Sequence, residues 1–154
     1  MLYFEDIVVG KKSRFGHYEV TREEVIEFAR KYDPQSFHLD DEAAAQTHFG
    51  RLAASGWHTC AMTMRMLVEN MQANKQAGLG SPGVDEIRWL KPVYPGDTLR
   101  VEGEILSKRQ SVSKPWMGSM VGRNTVFNQH DEPVMTMVST GLIRVRNHAS
   151  NNVD

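Results

Sequence analysis

Asp33, Gln35 and His38 place a carboxylate, an amide and an imidazole in one short segment, Tyr32-Asp33-Pro34-Gln35-Ser36-Phe37-His38. An imidazole exchanges protons near neutral pH, and a carboxylate within reach of the same water can orient it or trade a proton with it. The trio therefore suits general acid–base chemistry. Sixteen positions beyond His38, Ala54-Ser55-Gly56-Trp57-His58-Thr59 opens a long apolar stretch. The first N–H groups of a helix lack intrahelical acceptors, and its field favours negative charge there, which suits the oxygen of a polarised carbonyl. Gly56 lets an acyl group approach the backbone closely, so its amide is the leading oxyanion donor. Ser55 reads as a helix cap before it reads as a nucleophile. Asp33 and His38 also have a plainer reading, as a loop-capping carboxylate beside a hydrogen-bonded imidazole.

These residues need elements that hold them together. Thr21-Arg22-Glu23-Glu24 has the form of a capping box, and Val25, Phe28, Ala29 and Tyr32 recur at helical spacing until Asp33-Pro34 discourages continuation, which predicts a helix over 22–31. Asp40 or Asp41 caps a second short helix through Ala43, Ala44 and Ala45, with Gly50 near its end, leaving residues 33–39 as a constrained loop. From Gly56 to about Ala73, apolar residues stand on nearly every face, so this helix is expected to be surrounded. Four β-rich segments follow, at about 83–93, 98–112, 117–128 and 133–145, and another precedes Thr21 at about 13–20. Long strands and one helix that is apolar all round predict an α+β fold, a curved antiparallel sheet wrapped about a long central helix.

A chain of 154 residues suits one domain, expected over 1–146, with a polar, frayed tail at 147–154. The formal net charge of -1 lacks the basic excess of a binder of nucleic acid or anionic membrane, and neither partner is expected. No apolar run reaches the about 18 residues that span a bilayer, and the first residues lack a signal-peptide pattern. Cys60 is the one cysteine, so no intramolecular disulfide framework exists. Together these readings favour the cytoplasm. Within an apolar helix, Cys60 is read as buried rather than nucleophilic.

Several further signals carry a plain and a functional reading side by side. Gly78-Leu79-Gly80-Ser81-Pro82-Gly83 has the glycine spacing of a dinucleotide fingerprint, but it follows a helix and precedes a strand, the reverse of the required order. It reads as a flexible helix-to-strand turn. The methionines from Met62 to Met71 suit core filling first and an acyl tunnel second. Likewise His58 suits a packed helix histidine before a tunnel residue, while Trp116 with Ser111 and Ser113 fits a substrate-side loop or a solvent-facing hairpin equally. His17, His48, His130 and His148 have no supporting constellation. No phosphate loop, His-Glu-x-x-His or paired Cys-x-x-Cys motif occurs, so no cofactor and no metal is implied.

The Asp-x-x-x-x-His spacing of Asp33 and His38, Phe49-Gly50-Arg51 leading into Ala54-Ser55-Gly56, and Lys91-Pro92-Val93-Tyr94-Pro95-Gly96-Asp97-Thr98 resemble the MaoC-like branch of the hotdog-fold superfamily, which includes (R)-specific enoyl-CoA hydratases. The resemblance covers most of the chain. It departs from the hydratase signature at Gln35, where the family has Asn, at Ser36, where it has Pro, and at Phe37, where it has an aliphatic residue. The resemblance implies a single hotdog domain and reversible hydration of an enoyl thioester to a 3-hydroxyacyl thioester, on acyl-CoA and (R)-specific, as in fatty acid metabolism. It pairs Asp33 and His38 around the reacting water as the acid–base pair; beside them, Gly56 is read as the oxyanion donor, with Gln35, Ser55 and Trp57 as candidate substrate contacts. It also implies a homodimer or a higher homo-oligomer. Two alternatives stay open: an acyl-CoA thioesterase, and a non-catalytic acyl-CoA-binding module.

Overall fold

The computed structural model describes residues 1–147. Strand β1 (Lys12–Glu19) leads into helix α1 (Arg22–Tyr32), a short α2 (Asp41–Ala45) and the long α3 (Gly56–Ala73). Four strands complete the fold: β2 (Gly78–Trp89), β3 (Thr98–Gln110), β4 (Met117–Phe127) and β5 (Pro133–Arg144). The strands form one sheet in the order β1-β3-β4-β5-β2, and every neighbouring pair is antiparallel. This is the hotdog arrangement, with α3 against the sheet.

Alternation along the strands aims Leu99 and Val101 of β3, Val126 of β4 and Met135 of β5 at one layer, where Met62 and Met66 of α3 and Leu52 join them in a single buried core. Met62 and Met66 thus fill the core. The helix is not enclosed as its composition suggested. His58, Thr59, Met62, Thr63 and Met66 are buried, but Trp57 and Met64 on its other side are exposed. One sheet covers one side of a helix, and among the described residues α1 covers only part of the rest.

Strand β2 corrects the expected boundaries. It begins at Gly78 rather than about 83 and ends at Trp89 rather than about 93, so the segment read as a flexible turn lies in the sheet. Residues 78–83 pair with β5 through register shifts on either side of Gly80, whose φ of +94° a side chain would resist. Glycines placed where the ladder slips explain why local spacing looked like a turn. As the sheet's edge, β2 is exposed along nearly its whole length, Val84 and Trp89 included.

At the opposite edge, β1 carries a bulge: Phe15 pairs with Val101 and Tyr18 with Leu99, so β1 has one residue more than β3 between them. Gly16 sits in this bulge with φ +88°, and a Cβ there would lie 2.6 Å from Met66 Sδ. The missing side chain lets α3 settle against the strand. Gly16→Ala is expected to destabilise the protein by about 1–3 kcal/mol, combining left-handed strain with the collision. Urea unfolding should show a lower midpoint at unchanged slope; an unmoved midpoint would remove Gly16 from this role.

Candidate active site

Helix α1 ends where its sequence requires. Thr21 caps the start, accepting from the Glu24 N–H at 3.3 Å, and Pro34 steers Asp33 out of helical geometry to φ -150° and ψ 68°. The Asp33 N–H still donates to the Ala29 carbonyl at 2.9 Å, fixing the point where the chain leaves the helix. Residues Ser36–His38 then form one tight turn, closed by the His38 N–H donating to the Gln35 carbonyl at 2.9 Å. The carboxylate and the imidazole thereby face each other.

His38 is buried, with Nδ1 2.7 Å from the Ala53 carbonyl oxygen. A carbonyl can only accept, so Nδ1 carries the hydrogen, and the neutral form of the ring would present a lone pair at Nε2. That atom lies 3.5 Å from Asp33 Oδ2. The spacing is too long for a strong direct hydrogen bond, but it lets one water sit within reach of both atoms. Ser55 Oγ donates to the same Asp33 oxygen at 2.7 Å and accepts from the Trp57 N–H at 3.3 Å, so Ser55 caps α3 and holds the carboxylate at once. Gln35 Nε2 donates to Asp33 Oδ1 at 2.7 Å. The longer amide folds back on the carboxylate.

Burial pushes the Asp33 carboxyl up, but the hydrogen bonds from Ser55 and Gln35 and the neighbouring His38 outweigh it, and Asp33 is held below the usual carboxylate range. Asp33 is therefore an anion at neutral pH.

Gly56 is the first residue of α3, and its N–H has no acceptor among the described residues. Its missing side chain has a cause that sequence did not reveal. A Cβ at position 56 would lie 2.5 Å from Trp89 Cε2, and the Trp89 indole N–H donates to the Gly56 carbonyl at 2.9 Å. The group that approaches Gly56 closely is the indole at the end of β2. Trp57 meets Trp89 edge to face, with ring centroids 5.3 Å apart.

Asp33, His38, Gly56 and Trp57 share one cavity of about 440 Å³. Ser55 and Gln35 act on it through Asp33. Sequence reasoning missed Trp89, Phe49, Thr59, Lys91 and His48, all on its walls. His48, given no constellation above, thus belongs to this site. The family-like stretches begin at Phe49 and Lys91, but nothing local pointed to Thr59 or Trp89 as lining residues, which arrive through the packing of α3 on β2. No methionine of α3 lines the cavity, nor does Trp116. His58 is a packed helix histidine: its Nε2 is 3.0 Å from Glu24 Oε1 and its ring stacks on Phe28. Cys60 is half-buried, its thiol pushed up by burial, and His148 lies outside the described residues. Among the described residues, no group of three or more His, Cys, Asp or Glu side chains is arranged to hold a metal ion.

A family model described as MaoC like domain matches residues 6–124. The structure resembles the MaoC-like dehydratase from Rhodospirillum rubrum at TM-score 0.87 and 37% identity, over 96% of this chain and 100% of that one. Mesaconyl-CoA hydratase of Cereibacter sphaeroides is 36% identical over 83 residues, which is 54% of this chain but only 23% of that protein. The chain thus spans under a quarter of that relative. The (R)-hydratase from A. caviae involved in PHA biosynthesis shares the fold, at TM-score 0.65 and 23% identity, over 89% of this chain and 97% of that one.

Ser55→Ala is expected to raise the Asp33 titration midpoint, read by carbon NMR of the carboxyl. A carboxyl depressed in the folded state adds stability above its unfolded value of about 3.9, and loses it as pH falls through the lower folded value. The stability gap between wild type and Ser55→Ala should therefore be widest at neutral pH and shrink below about pH 4. A midpoint that stays in place would mean that the Ser55 bond does not set the Asp33 charge.

Proposed function

The chain belongs to the MaoC-like domain family of hydratases and dehydratases, and on that premise we propose that it adds water reversibly to an enoyl thioester, carried on coenzyme A, to give the (R)-3-hydroxyacyl thioester. One observation carries the reading: Asp33 Oδ2 and His38 Nε2, 3.5 Å apart, open on the same cavity as the unpaired Gly56 N–H. The (R) outcome rests on the fold shared with the A. caviae (R)-hydratase.

The chemistry follows from the states of the groups. A substrate water lies between Asp33 and His38, with the Asp33 anion accepting one of its hydrogens and fixing its direction. The neutral His38 Nε2 takes the other proton as the water oxygen bonds to the β-carbon. The π electrons move onto the thioester oxygen, where the Gly56 N–H and the start of α3 stabilise the enolate. The imidazolium, flanked by the Asp33 carboxylate, then returns its proton to the α-carbon. Asp33 stays ionised throughout, because its lowered pKa makes it a poor proton donor. Dehydration runs the same steps in reverse.

Strand β2 supports a homodimer. It is an edge strand of 12 residues, exposed along nearly its whole length and carrying Val84 and Trp89, and pairing it with a second copy would remove an open edge. The single half-buried thiol suits a reducing cytoplasmic setting.

Asp33→Asn and His38→Ala are each expected to lower kcat/KM for crotonyl-CoA hydration by about 100-fold or more, followed as loss of enoyl absorbance. Activity retained in either variant would remove that residue from the reaction, and release of free thiol in place of hydration would point to a thioesterase. Sedimentation at micromolar concentration should give at least twice the chain mass, and a monomer would overturn the edge-pairing proposal.

A further inference from the structure

Thr59 stands one turn beyond Gly56 on α3, on the wall of the same cavity, and is only 2% exposed. A buried threonine in a helix ordinarily returns its hydroxyl to the carbonyl four residues back, and Thr63 does so, donating to the Thr59 carbonyl at 2.7 Å. Thr59 does not. The Ser55 carbonyl accepts the Thr59 N–H at 3.1 Å, and the Thr59 hydroxyl has no hydrogen-bond partner among the described residues. The Thr59 oxygen is not among the side-chain atoms that are both buried and unpaired, so it keeps some exposure where the residue borders the cavity. A hydroxyl that leaves the carbonyl four residues back unused and stays accessible on the cavity wall is placed to meet a ligand.

We infer that Thr59 is a specificity-determining residue that hydrogen-bonds an oxygen function carried on the acyl chain, so that the site takes short acyl thioesters oxygenated beyond the reacting double bond. The inference rests on the hydration reading proposed above. With the thioester oxygen on the Gly56 N–H, a chain lying along the cavity passes Thr59 about 4.5 Å further along the helix axis, within reach of a substituent on its fourth carbon. The rest of the wall agrees: His48 and Lys91 add polar groups, and no methionine of α3 supplies an apolar lining for a long alkyl chain.

Saturated thioesters test this without depending on catalysis, because they cannot be hydrated. Calorimetric binding of butyryl-CoA, 4-hydroxybutyryl-CoA and succinyl-CoA to the wild type should show at least one oxygenated ligand binding about tenfold or more tightly than butyryl-CoA. The hydroxyl and carboxylate arms tell which oxygen function is read. In Thr59→Val the ratio of affinities should fall to about one, and Thr59→Ser, which keeps the hydroxyl, should preserve it. Equal binding of all three ligands by the wild type, absence of binding, or Thr59→Val weakening all three alike would overturn the inference. Crotonyl-CoA hydration measured on the same preparation separates the two readings. Hydration without an oxygen preference sinks the role of Thr59 alone, whereas neither binding nor hydration sinks both.

Discussion

The hydrogen bond from Ser55 to Asp33, 2.7 Å long across a sequence separation of 22, is the contact on which the site depends. It joins the end of α1 to the start of α3, so the carboxylate that leaves one helix is anchored by the residue that caps the other. Because Ser55 Oγ also accepts the Trp57 N–H, the direction of its donated hydrogen is fixed by the cap itself. His38 is set from a third direction, by the Ala53 carbonyl two residues before Ser55. Segments 33–38 and 53–56 thus act as two facing strips of one bracket, and the 3.5 Å gap between Asp33 and His38 is a property of the bracket rather than of either residue.

A second clamp holds the same two helices further from the cavity. Glu24 of α1 accepts from the Tyr18 hydroxyl of β1 and meets His58 Nε2 of α3 through one carboxylate oxygen. Burial and the Glu24 bond push the Tyr18 hydroxyl up to about 12, while the bonds from Tyr18 and His58 outweigh burial and hold Glu24 below the usual range. The cluster stays a carboxylate accepting two donors across the neutral range. With Phe28 stacked on His58, it ties α1 to the first turn of α3 and leaves the Asp33 end to the Ser55 bond.

The two aromatic residues at the mouth show how one position can serve two ends. Trp89 donates to the Gly56 carbonyl and lies where any side chain at position 56 would have to be, so the glycine is required by packing as well as by the chemistry proposed for its amide. Trp89 also closes β2, the strand left bare at the sheet edge. The Trp89 end of that edge borders the cavity.

Much of this was legible in the residues themselves. Thr21 as cap, Asp33-Pro34 as stop, Asp40 as the second cap and the helix over Gly56–Ala73 are local signals, because caps and prolines act within a few residues of their own backbone. The spacing of Asp33 and His38 survives folding for the same reason: both lie in one loop. The bonds that give these residues their states were not legible. Ser55 anchoring Asp33 besides capping α3, and Trp89 lying over Gly56, depend on which surface another segment presents, while Gln35 and Thr59 take side-chain conformations that spacing does not fix. The glycines of residues 78–83 misled for a related reason, since a bulged strand and a turn draw on the same local conformations and only the partner β5 decides between them. Sequence by itself determined which chemistry was present and where helices begin and end, because those rest on contacts within a few residues. Tertiary structure alone decided distances, protonation and what lines the cavity, because those rest on contacts between segments far apart in the chain.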